Sequence, residues 1–184
     1  LYGIDFGTSN TVVSIESDTG SEVVDLGGGE KVLPSLLYFE RDKPVTVGSA
    51  AISEYSAALE RHRHSRDLYK HFRLFQALKL ALKDEFFKGS NIFGKYWTGE
   101  SLAALFLREV KRRADESCGK VRNSVVLGRP VRLAGDPEKD VAIQNRFRDA
   151  CSLAGFEEVH FVKEPIAAMA SLIGSVKGRT LVFD

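Results

Sequence analysis

The sequence has few cysteines, no long apolar run and no excess of charge of either sign, and each shortage removes a class of protein. Cys118 and Cys151 stand alone rather than in a C-x-x-C pair, so neither a zinc site nor a disulfide framework is expected, and both read as reduced structural thiols. The longest apolar runs, such as SVVLG and TLVF, are far shorter than the about 20 residues that span a bilayer, and no charged-then-apolar leader precedes the first strand. A cytoplasmic location with no membrane partner is the expectation. Twenty-six Lys and Arg face 25 Asp and Glu, a formal net charge of +1, which provides no electrostatic footprint for nucleic acid. Internal repeats and low-complexity segments are missing as well. The chain starts at Leu1 without a methionine and stops at LVFD, inside what reads as a strand, as though cut from something longer.

What is present is enough for a sizeable core: 184 residues, 43% hydrophobic and 28% charged, the profile of a soluble globular protein. YGIDFG, TVVSIES and SEVVDLGG are apolar, β-rich runs separated by polar turns, an antiparallel meander. Pro34 leads into SLLYFER, a short strand, and residues from Gly48 to Lys88 carry helix-forming stretches broken by charged clusters. Thr98 is placed to cap a helix from Glu100 to about Ala114, with Leu102, Leu105, Phe106 and Val110 at helical spacing. NSVVLGRPV reads as a buried strand. Asp136 and Pro137 open a helix that Gly155 can close, HFVKEP returns as a strand, a helix begins at Pro165, and TLVFD is the last strand. A cluster of strands followed by strand and helix in alternation predicts an α/β fold, a mixed sheet flanked by helices.

One stretch departs from this pattern. GIDFGTSN, residues 3 to 10, interrupts a buried strand with an acid, two glycines, two hydroxyls and an amide. A small-residue turn of this kind leaves backbone N–H groups and the hydroxyls of Thr8 and Ser9 facing one concavity, and such a nest binds anions, phosphate above all. Asp5 beside a phosphate needs a cation between them, and magnesium held through water and phosphate oxygens supplies it. Taken alone, the stretch fits equally well a tight hairpin in which Asp5 accepts turn N–H bonds.

GIDFGTSNT, GRPVRL, VKEPIAAMAS and the closing LVFD fall in the order and approximate spacing of the ATPase domain of the seventy-kilodalton heat-shock chaperones, the DnaK-like family, which this chain resembles along its whole length. The general family pattern has a leucine at Phe6, serine or cysteine at Thr11, and an aromatic pair after Pro130. With these departures the chain is similar to the divergent YegD-like branch. The resemblance implies the actin-like ATPase (ribonuclease H-like) fold, in which two lobes close over a nucleotide, with this chain as lobe I. Residues 1–32 and 98–184 would form the base subdomain and 33–97 an inserted smaller one, with the adenosine-contacting lobe after Asp184 and absent here. ATP and magnesium are the implied cofactors, and protein clients or co-chaperones the implied partners. The full-length protein would be the ATPase, and the half-formed site of this chain alone is expected to be inactive.

By the same resemblance Gly7, Thr8, Ser9 and Asn10 bind phosphate, and Asp5 holds magnesium through water. Lys70, in DLYKHF, falls where the family places a lysine that reaches the terminal phosphates, with Lys79, Lys83 and Arg73 as rivals; on residue grounds alone such a lysine is a solvated side chain. Glu164 matches a glutamate near the magnesium waters and is also a first-turn acid that the helix dipole favours. Asp184 matches the acid that holds a water of the metal shell or the attacking water. Sugar and acetate kinases share the fold and an Asp-x-Gly-Thr loop, so a phosphotransferase is an alternative, as is a nucleotide-gated interaction module without turnover. Two further stretches read more simply. DLGGGEK, at 25 to 31, lacks the G-x-x-x-x-G-K-[ST] spacing and reads as a bend after a strand, and ERHRHSR, at 60 to 66, reads as a solvated charged run.

Overall fold

The first apolar runs fold back on one another as the alternation demands. In the computed structural model, which describes residues 1–17, 20–131 and 136–170, β1 (Tyr2–Phe6), β2 (Asn10–Ser17) and β3 (Gly20–Val23) form the antiparallel meander, and β4 (Leu33–Pro34) adds to β2. Next come β5 (Leu37–Glu40), β6 (Thr46–Val47), α1 (Ser49–Arg61), a 3-10 turn at Leu68–Lys70, β7 (Phe72–Phe75), α2 (Leu78–Lys83), β8 (Gly89–Ile92) and β9 (Lys95–Thr98). The chain then alternates helix and strand through α3 (Gly99–Cys118), β10 (Ser124–Arg129), α4 (Pro137–Ala154), β11 (Glu158–Lys163) and α5 (Glu164–Ala170).

The central sheet runs β11-β10-β1-β2-β3, with β10 and β11 parallel to β1 and β2 antiparallel to both β1 and β3, a mixed sheet as expected. Two smaller sheets, β6-β5-β7 and the hairpin β8-β9, draw on the chain between residues 37 and 98. Helix capping follows the sequence closely. Thr98 Oγ1 accepts from Ser101 N–H at 3.1 Å, Asp136 Oδ1 accepts from Glu138 N–H at 2.8 Å, and α4 ends at Gly155, which adopts the left-handed conformation that glycine alone takes without strain. Three differences have physical causes. Helix α3 extends past Ala114 to Cys118, because Gly119 is the first residue to take a left-handed stop. Phe72–Phe75 lies among segments expected to be helical, but pairing with β5 overrides local propensity and makes it a strand. Helix α5 starts at Glu164, one residue before Pro165, which suits a proline whose missing N–H has no helical partner in the first turn. The TLVFD strand lies outside the described residues.

Residues of one parity on each central strand enter the core: Tyr2, Ile4 and Phe6; Thr11 and Val13; Val125 and Leu127; Val159. They meet the buried stripes of α3 and α4, including Leu102, Phe106, Val110, Phe147 and Ala150. Phe6 stacks on Phe106 with ring centroids 5.8 Å apart and meets Phe147 edge-on at 6.4 Å, so the last core residue of β1 is locked from two helices.

At the opposite end of β1 a polar cluster ties sheet to helix. Tyr2 Oη donates to Asp115 Oδ1 and Lys111 Nζ to Oδ2, both at 2.7 Å, and Arg122 N–H donates to Oδ1 at 3.0 Å. Burial works against the Asp115 carboxylate, but the donors from Lys111, Tyr2 and Arg122 outweigh it and hold its pKa below the ordinary carboxylate value. The stability this contributes is present above the unfolded-state pKa and is lost as pH falls through the lower folded one. Asp115→Asn should therefore lower unfolding free energy by about 1–3 kcal/mol at neutral pH. In urea titrations across pH, the gap from wild type should narrow below about pH 4. A gap independent of pH would show that the carboxylate charge contributes nothing.

Candidate functional site

The parity that sends Tyr2, Ile4 and Phe6 into the core sends Gly3, Asp5 and Gly7 to the other face. There they line a cleft of about 900 Å³ with Val12 and Ser14 of β2, Val126 and Gly128 of β10, Pro130, Val162 and Glu164. Because β1, β10 and β11 run parallel, the turn after Phe6, the Gly128–Pro130 segment and the start of α5 all emerge at one edge of the sheet, the carboxyl edge where open α/β sheets take ligands. Gly128 lies next to the start of α5 at this edge: a Cβ there would meet Glu164 Cγ at 3.5 Å, an ordinary contact.

The turn after β1 is drawn tight from behind. Gly7 N–H donates to the Asn10 carbonyl at 2.9 Å, and a Cβ on Gly7 would collide with that same oxygen. Ser35, fully buried, donates from its backbone N–H to Ser9 O at 2.8 Å and from Oγ to Gly7 O at 3.0 Å, and its hydroxyl meets Thr11 Oγ1 at 2.9 Å. In a trans peptide the N–H points opposite to the carbonyl, so aiming Gly7 O at Ser35 turns the Thr8 N–H away from it. The turn offers fewer free amides than the sequence suggested, because the Gly7 amide is consumed within the hairpin. Gly7 and Thr8 line the cleft, whereas Ser9 and Asn10 share the turn without lining it. Asp5 is exposed at the cleft, and its carboxylate has no hydrogen bond or ion pair among the described residues.

Opposite the turn, α2 brings a lysine into the cleft. Lys79 is only 7% exposed, and its Nζ donates to Glu164 Oε1 at 2.6 Å across 85 positions of sequence. Lys83, one turn on, also lines the cleft. Lys70, the expected phosphate-reaching lysine, does not. It ends a short 3-10 turn before β7 and pairs with Asp67 at 2.6 Å, and that hydrogen bond and charge raise its pKa on the protein's surface. Arg73 is turned toward Ser90. Of the four basic residues considered for this place, the structure brings Lys79 and Lys83 to Asp5, Thr8 and Glu164. Asp184 lies outside the described residues.

Ser35 had no reading as a site residue in the sequence. Its one signal is a small polar residue inside the apolar run VLPSLLYF, where a buried hydroxyl needs a partner. For Lys79 the signal is its place in FQALKLAL, between Leu78 and Leu82, which mark the inward face of α2. The glycine bend of DLGGGEK folds onto its own acid: Asp25 accepts from Gly27 N–H at 2.8 Å and from Gly29 N–H at 3.0 Å, so those amides are not offered to a ligand. His62 closes α1 and stacks on His71 at 4.2 Å; among the described residues no cluster of three or more His, Cys, Asp or Glu could hold a metal ion. No described helix is long and apolar enough to cross a membrane.

Comparison with known proteins gives the family of the chain. Over its whole length the chain is 28% identical to the chaperone protein DnaK of Thermoplasma acidophilum and equally to that of Thermoplasma volcanium, and 25% identical to that of Thermosipho africanus. It spans 28% of the length of each of these relatives. A family model described as Hsp70 protein matches residues 1–174. Membership implies the actin-like ATPase fold, with which the mixed sheet and its helices are consistent. With nearly all of its length inside that model, the chain belongs to the Hsp70 family.

Proposed function

We propose that this chain is the phosphate-side lobe of an ATP-binding and ATP-hydrolysing, chaperone-like protein, with residues 33–97 as a smaller subdomain inserted into the base. The observation that carries the reading is the convergence of Asp5, the Thr8 amide, Lys79 and Glu164 on one cleft at the carboxyl edge of three parallel strands. The donor chemistry fits magnesium nucleotide: an exposed carboxylate without an ion-pair partner among the described residues stands next to an anion-binding turn, the arrangement that suits a hard cation held through water and phosphate oxygens. When bound, magnesium offsets the charge that develops on the transferring phosphoryl group.

The chain's own residues position and stabilise. Asp5 would hold magnesium through a water. Thr8 donates its N–H and hydroxyl to phosphate oxygens, with Ser9 and Asn10 completing the turn. Lys79 takes the role that the sequence offered to Lys70: its ammonium has three donors, so it can keep Glu164 and still donate to a phosphate oxygen. Glu164 orients that ammonium, and Asp184 stands for the acid near the attacking water. The family match favours transfer to water over transfer to a metabolite. Protein clients or co-chaperones as partners are supported by the relatives named as chaperones.

The test uses the full-length protein with magnesium-ATP. Lys79→Ala should lower single-turnover phosphate release about a hundredfold, the usual loss for one transition-state charge contact. Lys70→Ala should change it by less than about twofold, as for a surface ion pair. The reverse pattern returns the role to Lys70, and no effect from either removes the ATPase assignment from this cleft.

Ser35→Ala probes the turn itself. It removes the hydroxyl that holds the Gly7 carbonyl away from the cleft, and calorimetric titration should show magnesium-ATP affinity about tenfold weaker, ~1.4 kcal/mol. Unchanged affinity would mean that the turn holds its shape without the brace.

A further inference from the structure

Helix α2 is only six residues long, Leu78–Lys83, yet it carries both lysines of the cleft. A helix this short does not hold itself together, and its last carbonyls have no helical partners. The structure supplies partners from a distant helix. Arg146, in the middle of α4, donates from Nη1 to Leu82 O at 3.0 Å and to Asp84 O at 2.8 Å, and from Nη2 to Phe87 O at 3.2 Å, while Nε bonds Glu100 at the start of α3. One guanidinium therefore gathers three carbonyls from the end of α2 and the segment after it, and is itself held by a carboxylate.

The neighbouring backbone makes room for this. At Gly99 a Cβ would lie 2.9 Å from Arg146 Nη2 and 3.4 Å from both Ala81 O and Phe87 Cδ1, so any larger residue would press on the clamp. Arg146 lines a second cavity, of about 770 Å³, which also includes Leu80, Lys83, Glu85, Phe86 and Lys139 and lies apart from Asp5, Thr8 and Glu164. It touches no residue of the phosphate turn.

We propose that Arg146 is a positioning residue for the cleft: by binding the Leu82, Asp84 and Phe87 carbonyls it fixes the end of α2 and so holds Lys79 against Glu164, ready to meet the terminal phosphates. This rests on the reading of Lys79 as the phosphate-facing lysine. Guanidinium geometry matters here. The planar fork reaches three carbonyls and a carboxylate at once, and an ammonium at the same place reaches fewer. Arg146→Lys should therefore rescue only part of what Arg146→Met loses.

The experiment uses the full-length protein and two readouts. The first needs no nucleotide: acetylation rates of individual lysines followed by mass spectrometry, with amide hydrogen exchange across the chain. In wild type, Lys79 should label slowly. In Arg146→Met it should label at least about tenfold faster, with faster exchange confined to residues 78–88, and Arg146→Lys should fall between; the tenfold figure corresponds to opening made easier by ~1.4 kcal/mol. The second readout is single-turnover phosphate release and ATP affinity for Arg146→Met, Lys79→Ala and the double variant. Arg146→Met should slow release about tenfold with affinity changed less than about threefold, and the double variant should be no slower than Lys79→Ala, because both act through one ammonium.

Wild-type labelling of Lys79 in both Arg146 variants overturns the proposal, as do faster exchange spread equally over α3 and α4 and rate losses that multiply in the double variant. If Arg146→Met does not fold, Arg146→Lys carries the same decision at smaller amplitude. A wild-type rate in Lys79→Ala overturns the phosphate reading of the cleft instead, and the labelling result then still decides whether Arg146 positions α2.

Discussion

The shared direction of β1, β10 and β11 is the constraint on which the rest of the site depends. Register pairs Gly3 with Val126 and Val126 with His160, so the three strands advance together and finish together. Each strand then presents one parity to α3 and α4 and the other to the cleft, and the turns leave at a single edge. A slip of one residue in β1 would send Asp5 and Gly7 into the core and Phe6 into the cleft, at a cost no local rearrangement could offset. Phe6, held between Phe106 and Phe147, is what makes that slip unfavourable. The residue that secures the core is thus the one placed between the acid and the first residue of the phosphate turn.

Against this fixed edge stands a second layer whose position depends on polar contacts. Lys79 and Glu164 form an ion pair with side chains 9% and 21% exposed, a setting in which the attraction scarcely exceeds the desolvation it has to overcome. Such a pair adds little to stability, but leaving either partner alone is costly. It therefore defines where α2 sits relative to α5 more than how firmly the protein folds. Ser35 and Arg146 have the same character. Each donates to backbone carbonyls that fix a segment, one behind the turn after β1 and one at the end of α2.

Features encoded locally were legible in the sequence. Thr98 and Asp136 cap the helices they were read to cap, and Gly155 ends α4, because capping depends on residues two to four positions apart. The meander and the parallel return of NSVVLGR and HFVK followed from runs whose period and boundaries are sharp. Asp5 and Thr8 were singled out by the polar turn that interrupts a buried strand and Glu164 by the family resemblance, and all three line the cleft. Lys79 was legible only as a rival to Lys70, since its place depends on how a six-residue helix docks against the start of α5, 85 positions away. Lys70 and Lys79 look alike locally, and only the pairing of β7 with β5 turns one outward and carries the chain to the other. Ser35 was hidden for the same reason: its partners, Gly7 and Ser9, lie across the sheet rather than along the chain.

The charges of the cleft limit how it can hold an anion. Among the described residues its charged lining is Asp5, Lys79, Lys83 and Glu164, two acids against two lysines, a lining with no net positive charge to draw a polyphosphate in. On the proposed reading, attraction comes from directed groups instead: the Thr8 amide, an ammonium already oriented by Glu164, and a cation that would arrive with the nucleotide to satisfy Asp5. A site built this way discriminates by geometry. Free phosphate or sulfate offers Asp5 only repulsion, whereas a nucleotide whose oxygens already share a magnesium ion turns that repulsion into a water-mediated contact. The acid that makes GIDFGTSN look unsuited to phosphate is, on this reading, what restricts the turn to phosphate that carries its own metal.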